Sequence, residues 1–212
     1  MLDLYTWTTP NGRKVPILLA ELDLPFNLHL IDLTKGEQHG APYQAINPNG
    51  KIPALVDPDG PDGKAVTVFE SGAILMYVCD KADAAGRFLP KELAGRYRAI
   101  EWVMWQMGGI GPMFGQLGYF ARTKPRNEAA FDRFMAEGRR LTKVLDTELA
   151  SREWLAGAYS IADIACYPWI QGMTEHVPAV LEGAPNVHRW LERMGARPAV
   201  ANGMSLGVNL GR

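Results

Sequence analysis

Gly50-Lys51-Ile52-Pro53-Ala54-Leu55-Val56, followed after a turn by Val68-Phe69-Glu70-Ser71-Gly72-Ala73-Ile74, is the stretch on which the reading of this chain turns. The first half reads as a loop that passes through an Ile-Pro bond into a short apolar strand. The second reads as a strand that stops at Glu70-Ser71 and becomes a helix. X-Pro bonds are the only ones with appreciable cis population, and a cis proline ahead of a strand exposes the preceding N–H and C=O. Ile52–Pro53 is therefore expected to be cis, with backbone that a peptide-like ligand can pair with as an added strand. Ser71, read as a helix N-cap, joins its hydroxyl to open backbone N–H groups and favours a carboxylate. Together the two halves suit a small anionic peptide.

Working outward, apolar residues in Leu2–Trp7 and Leu28–Leu33 mark strands, with an amphipathic helix between them near Gly12–Leu22. A third strand is Ala54–Asp57. The turn Asp57-Pro58-Asp59-Gly60-Pro61-Asp62-Gly63 leads to a fourth, Ala65–Phe69, and then to a helix over Ser71–Lys81. The order β-α-β, then β-β-α, is that of a thioredoxin-like domain with a mixed four-stranded sheet, over residues 1–82. Residues 83–91, with Gly86 and Pro90, read as a linker. Beyond Glu92 the strand signals stop, and helices are expected near 92–121, 127–150, 161–174 and 184–195. The fold class is α+β, the thioredoxin-like first domain followed by an all-α domain over 92–212, with a glycine-containing tail from Pro198 that drapes over the surface or frays.

At 212 residues the chain has ample sequence for a hydrophobic core, and its formal net charge of −1 gives no electrostatic case for nucleic acid or membrane surfaces. The stretch from Trp102 to Phe120 is broken by five glycines and Pro112, so no membrane span is expected. Met1-Leu2-Asp3-Leu4-Tyr5 lacks the basic and apolar regions of a signal peptide, and the chain reads as soluble and cytoplasmic. The two cysteines, Cys79 and Cys166, lie far apart with neither metal nor redox spacing. No metal is expected.

Further stretches join the first. They are Leu4-Tyr5-Thr6-Trp7-Thr8-Thr9-Pro10-Asn11-Gly12, the helix Lys14–Glu21, the run Trp105-Gln106-Met107-Gly108-Gly109-Ile110-Gly111-Pro112-Met113-Phe114-Gly115-Gln116, and Tyr159-Ser160-Ile161-Ala162-Asp163-Ile164-Ala165. The whole resembles the glutathione transferases. The Thr-Pro-Asn-Gly turn combined with the Gly-Gly-x-Gly-Pro-Met-x-Gly-Gln run is similar to the bacterial nu class, whose members have glutathione-dependent disulfide-reductase activity.

The resemblance implies glutathione as co-substrate. Its thiol, with an ordinary pKa of about 8.5, must be ionised to attack, so a donor is needed beside the sulfur. In Ser- and Cys-type relatives that residue lies in the turn after the first strand. Here the turn offers Thr8, Thr9 and Asn11, with Thr9 able to donate by its hydroxyl and Asn11 by its amide; a purely structural reading makes Asn11 an N-cap and Thr9 a turn residue. Tyr5 is a rival activator, but its place in the strand favours structure. Neither cysteine falls where a family nucleophile lies. Gln38 and Lys51 are candidates for the glycyl end of glutathione, the Ile52 backbone ahead of Pro53 for the cysteinyl unit, Ser71 for the γ-glutamyl carboxylate and Glu70 for its ammonium. Arg133 matches a position where nu-class relatives carry an arginine near bound glutathione.

Ser160-Ile161-Ala162-Asp163 fits a capping box, a folding signal without a catalytic role. Glycines and Pro112 in the Gly108–Gln116 run cost helix stability and point to close packing or a bend lining a pocket. Trp105, Met113, Phe114 and Tyr119 are expected mostly in the core, with one or two facing a second substrate. The implied activity is disulfide-bond oxidoreduction by a homodimer. Conjugation of glutathione to electrophiles, reduction of organic hydroperoxides, or non-catalytic glutathione binding are the alternatives the same elements allow.

Overall fold

A computed structural model describes residues 1–205. Within them, β1 (Leu2–Thr6), β2 (Phe26–Leu30), β3 (Ala54–Asp57) and β4 (Val66–Phe69) form a mixed sheet in the order β2-β1-β3-β4. β1 and β2 are parallel, and the β1–β3 and β3–β4 pairs are antiparallel. The helix α1 (Pro10–Glu21) makes the crossover between the parallel pair, α2 (Ala41–Gln44) lies in the β2–β3 connection, and α3 (Ser71–Ala82) follows β4. Leu4 and Leu55 from the sheet, Val15, Leu18 and Leu19 from α1, and Ile74, Leu75 and Val78 from α3 are buried as one apolar core. β2 starts two residues earlier than the apolar pattern suggests, because Pro25 ends the preceding turn and Phe26 pairs with Leu2.

The helical part contains α4 (Leu93–Trp105), α5 (Gly111–Arg122), α6 (Glu128–Glu148), α7 (Ile161–His176) and α8 (Pro185–Gly195). The single long helix expected over 92–121 is divided: Gln106–Ile110 widen into a π-helical turn, and α5 begins at Gly111-Pro112. A proline at the second position of a helix loses no intrahelical bond, so Pro112 is tolerated there. Phe114 is fully buried, as expected of most of the run, whereas Tyr119 is 58% exposed and lies outside the core.

The described chain divides into two compact units, Met1–Ala84 together with Pro198–Ser205, and Ala85–Arg197. The last helix, α9 (Pro198–Ser205), thus packs with the first unit, on α1, rather than with the helices that precede it. Its approach to α1 is close. A Cβ on Gly203 would lie 2.5 Å from Ile17 Cγ1 and 2.6 Å from Ile17 N, so only glycine fits there. The remainder of the tail, 206–212, lies outside the described residues. Among the described residues no helix is long and apolar enough to cross a membrane.

Candidate functional site

Strand register brings the singled-out segments of the first unit together. Tyr5 on β1 pairs with Ala54 on β3, and Ala54 pairs with Phe69 on β4. β1 leaves the sheet at Thr6, β3 enters it just after Pro53, and β4 leaves it just before Glu70; antiparallel pairing puts all three exits at one end of the sheet. β2 runs parallel to β1, so its outgoing loop, which carries Gln38, starts at that same end, where Ile31 N–H donates to Thr6 C=O at 3.0 Å.

The turn after β1 is built by close contacts. Thr9 is the N-cap of α1, with extended backbone, and its Oγ1 accepts from Gly12 N–H at 3.2 Å. The helix therefore starts at Pro10, two residues before the expected start, and Asn11 sits inside its first turn rather than at the cap. Capping occupies one acceptor position of Thr9; a hydroxyl still has its O–H to donate. Thr6 Oγ1 donates to Gly12 C=O at 2.8 Å, and a Cβ at residue 12 would fall 2.0 Å from Trp7 O. Glycine is required there for α1 to seat on the end of β1.

The Ile52–Pro53 bond is cis. The carbonyl ahead of it, that of Lys51, accepts from Tyr43 Oη and from Asn47 Nδ2, each at 2.6 Å. Burial pushes the Tyr43 phenol up to about 12, so it stays a donor. Ile52 packs its side chain into a cluster with Tyr43 and Ala54, against which Tyr5 and Trp7 lie. Among the described residues no backbone hydrogen bond uses Ile52's own N–H or C=O. Gly50, at φ +61, lies against the Gln38 backbone, and a Cβ there would meet Gln38 O at 3.2 Å; this holds the Gln38 loop beside Lys51. Gln38 Nε2 donates to His39 Nε2 at 3.1 Å, while Gln38 Oε1 is buried without a protein partner. The Lys51 side chain is exposed.

Ser71 was expected to be the cap of α3; the structure corrects this. Glu70 takes the cap position, with φ +72 and ψ +117 and no side-chain cap bond, and Ser71 is the first helical residue. The sharp turn out of β4 at Glu70 advances the helix start by one residue. An L-residue at positive φ costs about 1–3 kcal/mol, and such residues cluster at ligand sites. Glu70 is exposed, while Ser71 is buried. Ser71 Oγ accepts from Lys14 Nζ at 3.1 Å, and Lys14 is fully buried. Lys14, Tyr43 and Asn47 were not singled out from the sequence. Tyr43 and Asn47 had a faint signal in the Asn47-Pro48-Asn49-Gly50 turn, and Lys14 had one in its apolar neighbours Val15, Ile17, Leu18 and Leu19.

Tyr5 stacks on His29 with ring centroids 4.4 Å apart and an interplanar angle of 13°, which is a packing role. Arg133 belongs to the second unit. It lies exposed on α6, at a concavity shared with Met113, Phe134, Glu137 and Arg140, where Arg140, by its hydrogen bond, and Arg133 lower the Glu137 carboxyl pKa. Cys79 and Cys166 are both fully buried, and neither forms a disulfide.

Comparison with known proteins bears on this geometry. Residues 8–81 match the model of the glutathione S-transferase N-terminal domain and residues 109–198 that of the C-terminal domain. The disulfide-bond oxidoreductase YfcG of Escherichia coli is 42% identical over 207 residues, 96% of this chain and 94% of that protein. A glutathione transferase from Burkholderia graminis, solved with two glutathione molecules per subunit, superposes with a TM-score of 0.93 at 46% identity, covering 98% of this chain and 89% of that one. One from Pseudomonas putida, solved with a glutathione disulfide per subunit, gives 0.91 at 40% identity, over 97% and 91% of the two chains. With both family domains in order along the sequence and likeness that runs from end to end, the chain belongs to the glutathione S-transferase family.

Proposed function

We propose that this protein is a glutathione-dependent disulfide-bond oxidoreductase. The observation that carries the reading is the convergence of Thr9 and Asn11, Ile52–Pro53, and Glu70–Ser71 at one end of the sheet. Glutathione lies across that end as an added strand. The Ile52 backbone pairs with its cysteinyl unit, the first turn of α3 and Ser71 take the γ-glutamyl carboxylate, and Glu70 takes the ammonium. Gln38 and Lys51 serve the glycyl carboxylate. Thr9 O–H and the Asn11 amide point donors at the sulfur and hold it as thiolate. Arg133 is a further proposed glutathione contact, by resemblance. The likeness to YfcG, itself a disulfide-bond oxidoreductase, supports this activity over conjugation.

The thiolate attacks one sulfur of a disulfide RSSR, forming a mixed disulfide with glutathione and releasing RS⁻, which takes up a proton. A second glutathione thiolate attacks the glutathione sulfur of that mixed disulfide, giving glutathione disulfide and the second thiol. Two glutathiones are oxidised for each disulfide reduced, and no protein sulfur takes part. The protein is proposed to work as a cytoplasmic homodimer. An assay with glutathione and hydroxyethyl disulfide, coupled to reduction of the glutathione disulfide formed, tests the activity. Turnover with an electrophile or hydroperoxide but none with the disulfide would replace this reading with conjugation or peroxide reduction.

Ser71→Ala is expected to raise the dissociation constant for glutathione about tenfold or more, as loss of one charge-assisted hydrogen bond of about 1.5–3 kcal/mol implies. Titration calorimetry measures it. An unchanged constant would leave Ser71 a helix-start residue only.

A further inference from the structure

We propose that Tyr43 and Asn47 are positioning residues of the glutathione site: by gripping the Lys51 carbonyl from the protein interior, they aim the Ile52 N–H at the cysteinyl carbonyl of the ligand. This rests on the reading above, in which the Ile52 backbone pairs with the cysteinyl unit. Tyr43, on α2, and Asn47, in the turn that follows, are 3% and 2% exposed, and both donate to Lys51 C=O, each at 2.6 Å. A carbonyl oxygen has two lone pairs, and here both are taken. Asn47 Oδ1 accepts from Asn49 N–H at 3.0 Å, which fixes which end of its amide is the donor. Asn47 also bonds the phenol oxygen, yet burial still holds the Tyr43 phenol above its ordinary range, so it keeps its proton for Lys51.

The geometry of the peptide unit carries that grip to the ligand. Lys51–Ile52 is a trans peptide, since the cis bonds among the described residues are Ile52–Pro53 and Lys124–Pro125. In a trans peptide the C=O and the following N–H share one plane and point in opposite directions. Anchoring the Lys51 carbonyl on two buried donors therefore turns the Ile52 N–H away from Tyr43 and Asn47. That N–H has no backbone partner among the described residues. Pro53 has no N–H, and the pairing of β3 begins at Ala54, so Ile52 carries the last backbone donor ahead of the strand. With one donor removed, the Lys51–Ile52 plane can tilt and its N–H loses direction. The pair thus acts only on a ligand that presents an acceptor at the cysteinyl carbonyl.

The test compares glutathione with the analogue in which a trans-alkene replaces the cysteinyl–glycyl peptide bond, keeping its shape and removing the carbonyl, by calorimetry on the full chain. Tyr43→Phe, which keeps the ring beside Ile52 and Ala54, should weaken glutathione binding about threefold to tenfold and analogue binding by less than about twofold. The Ile52 amide proton should move downfield when the wild-type protein takes up glutathione and move less in Tyr43→Phe. If Tyr43→Phe weakens both ligands alike, or neither, or leaves the Ile52 response unchanged, while the wild type still prefers glutathione to the analogue, the positioning role is overturned and the Ile52 pairing stands. If the wild type binds both ligands equally, the pairing itself falls and this inference with it. Should Tyr43→Phe not fold, Asn47→Asp carries the same comparison with the same deciding outcomes: it keeps an acceptor for Asn49 N–H and loses the donor to Lys51.

Discussion

Replacing Asp163 by alanine is expected to remove roughly 3–5 kcal/mol of folding stability, enough to make the helical part of the chain marginal. Asp163 is fully buried near the start of α7 and ties three segments together. Its Oδ1 accepts from Leu155 N–H at 3.1 Å and from Trp190 Nε1 on α8 at 2.9 Å, and its Oδ2 accepts from Ser160 N–H at 3.1 Å. The Ser160 side chain accepts in return from the Asp163 backbone N–H, and also from Ala162 N–H at 3.2 Å, so the expected capping box is present and reaches further than a cap needs to. Alanine leaves three buried donors without an acceptor, each costing about 1–3 kcal/mol before relaxation. Asparagine keeps one acceptor oxygen but turns an amide donor towards one of those N–H groups, so its effect should fall between.

The loss also depends on pH. Burial pushes the Asp163 carboxyl up to about 6 despite its donors. The unfolded chain, with an ordinary carboxyl pKa, has lost that proton between about pH 4 and 6 while the native state still holds it. The native state binds more protons in that window, so wild-type stability falls as pH rises through it, a slope the alanine chain lacks. The stability gap between the two should therefore be widest near pH 4 and narrow towards pH 7. Urea unfolding followed by circular dichroism at both pH values measures it. A gap below about 1 kcal/mol throughout would mean that other acceptors satisfy the three donors.

The elements legible in the sequence are those set by local rules. The Ile-Pro bond, the turn at Asp57–Gly63 and the Ser160–Asp163 box each act within a few residues, and β3 runs over Ala54–Asp57, as its apolar run suggests. What the sequence hid depends on contacts across the fold. Gly12 looks like an ordinary helix-start glycine until the carbonyl of Trp7 is seen where its Cβ would be. Lys14 reads as a solvated residue of an amphipathic helix; only the packing of α1 against α3 and α9 shows it buried against Ser71. The shift of the α3 cap from Ser71 to Glu70 follows from a left-handed backbone turn that no residue preference signals, since glutamate rarely adopts it. Tyr43 and Asn47 act through one shared carbonyl, that of Lys51, and their spacing in the sequence does not reveal it.

Asn11→Ala is expected to lower turnover in disulfide reduction by roughly one to two orders of magnitude, while Cys79→Ala with Cys166→Ala leaves the reaction intact apart from some loss of stability. Free glutathione, with a thiol pKa of about 8.5, is mostly protonated at neutral pH. A donor held at the sulfur favours the charged form, and one charge-assisted hydrogen bond of about 1.5–3 kcal/mol lowers the thiol pKa by about one to two units, which raises the ionised fraction at neutral pH about tenfold or more. Asn11 stands in the first turn of α1, where the open N–H groups and the helix dipole act in the same direction. Thr9→Ala should do comparable or lesser harm to turnover, but its loss is mixed. The same substitution removes the cap bond to Gly12, about 1 kcal/mol of helix stability. Titrating thiolate absorbance with bound glutathione separates the two effects: a weakened cap lowers the melting temperature, whereas a lost donor raises the pKa of the bound thiol. Both cysteines are buried away from solvent, one on α3 and one on α7, so a reacting disulfide has no path to them in the folded chain. If the double cysteine variant were dead and Asn11→Ala fully active, a protein thiol would have to replace glutathione as the attacking group.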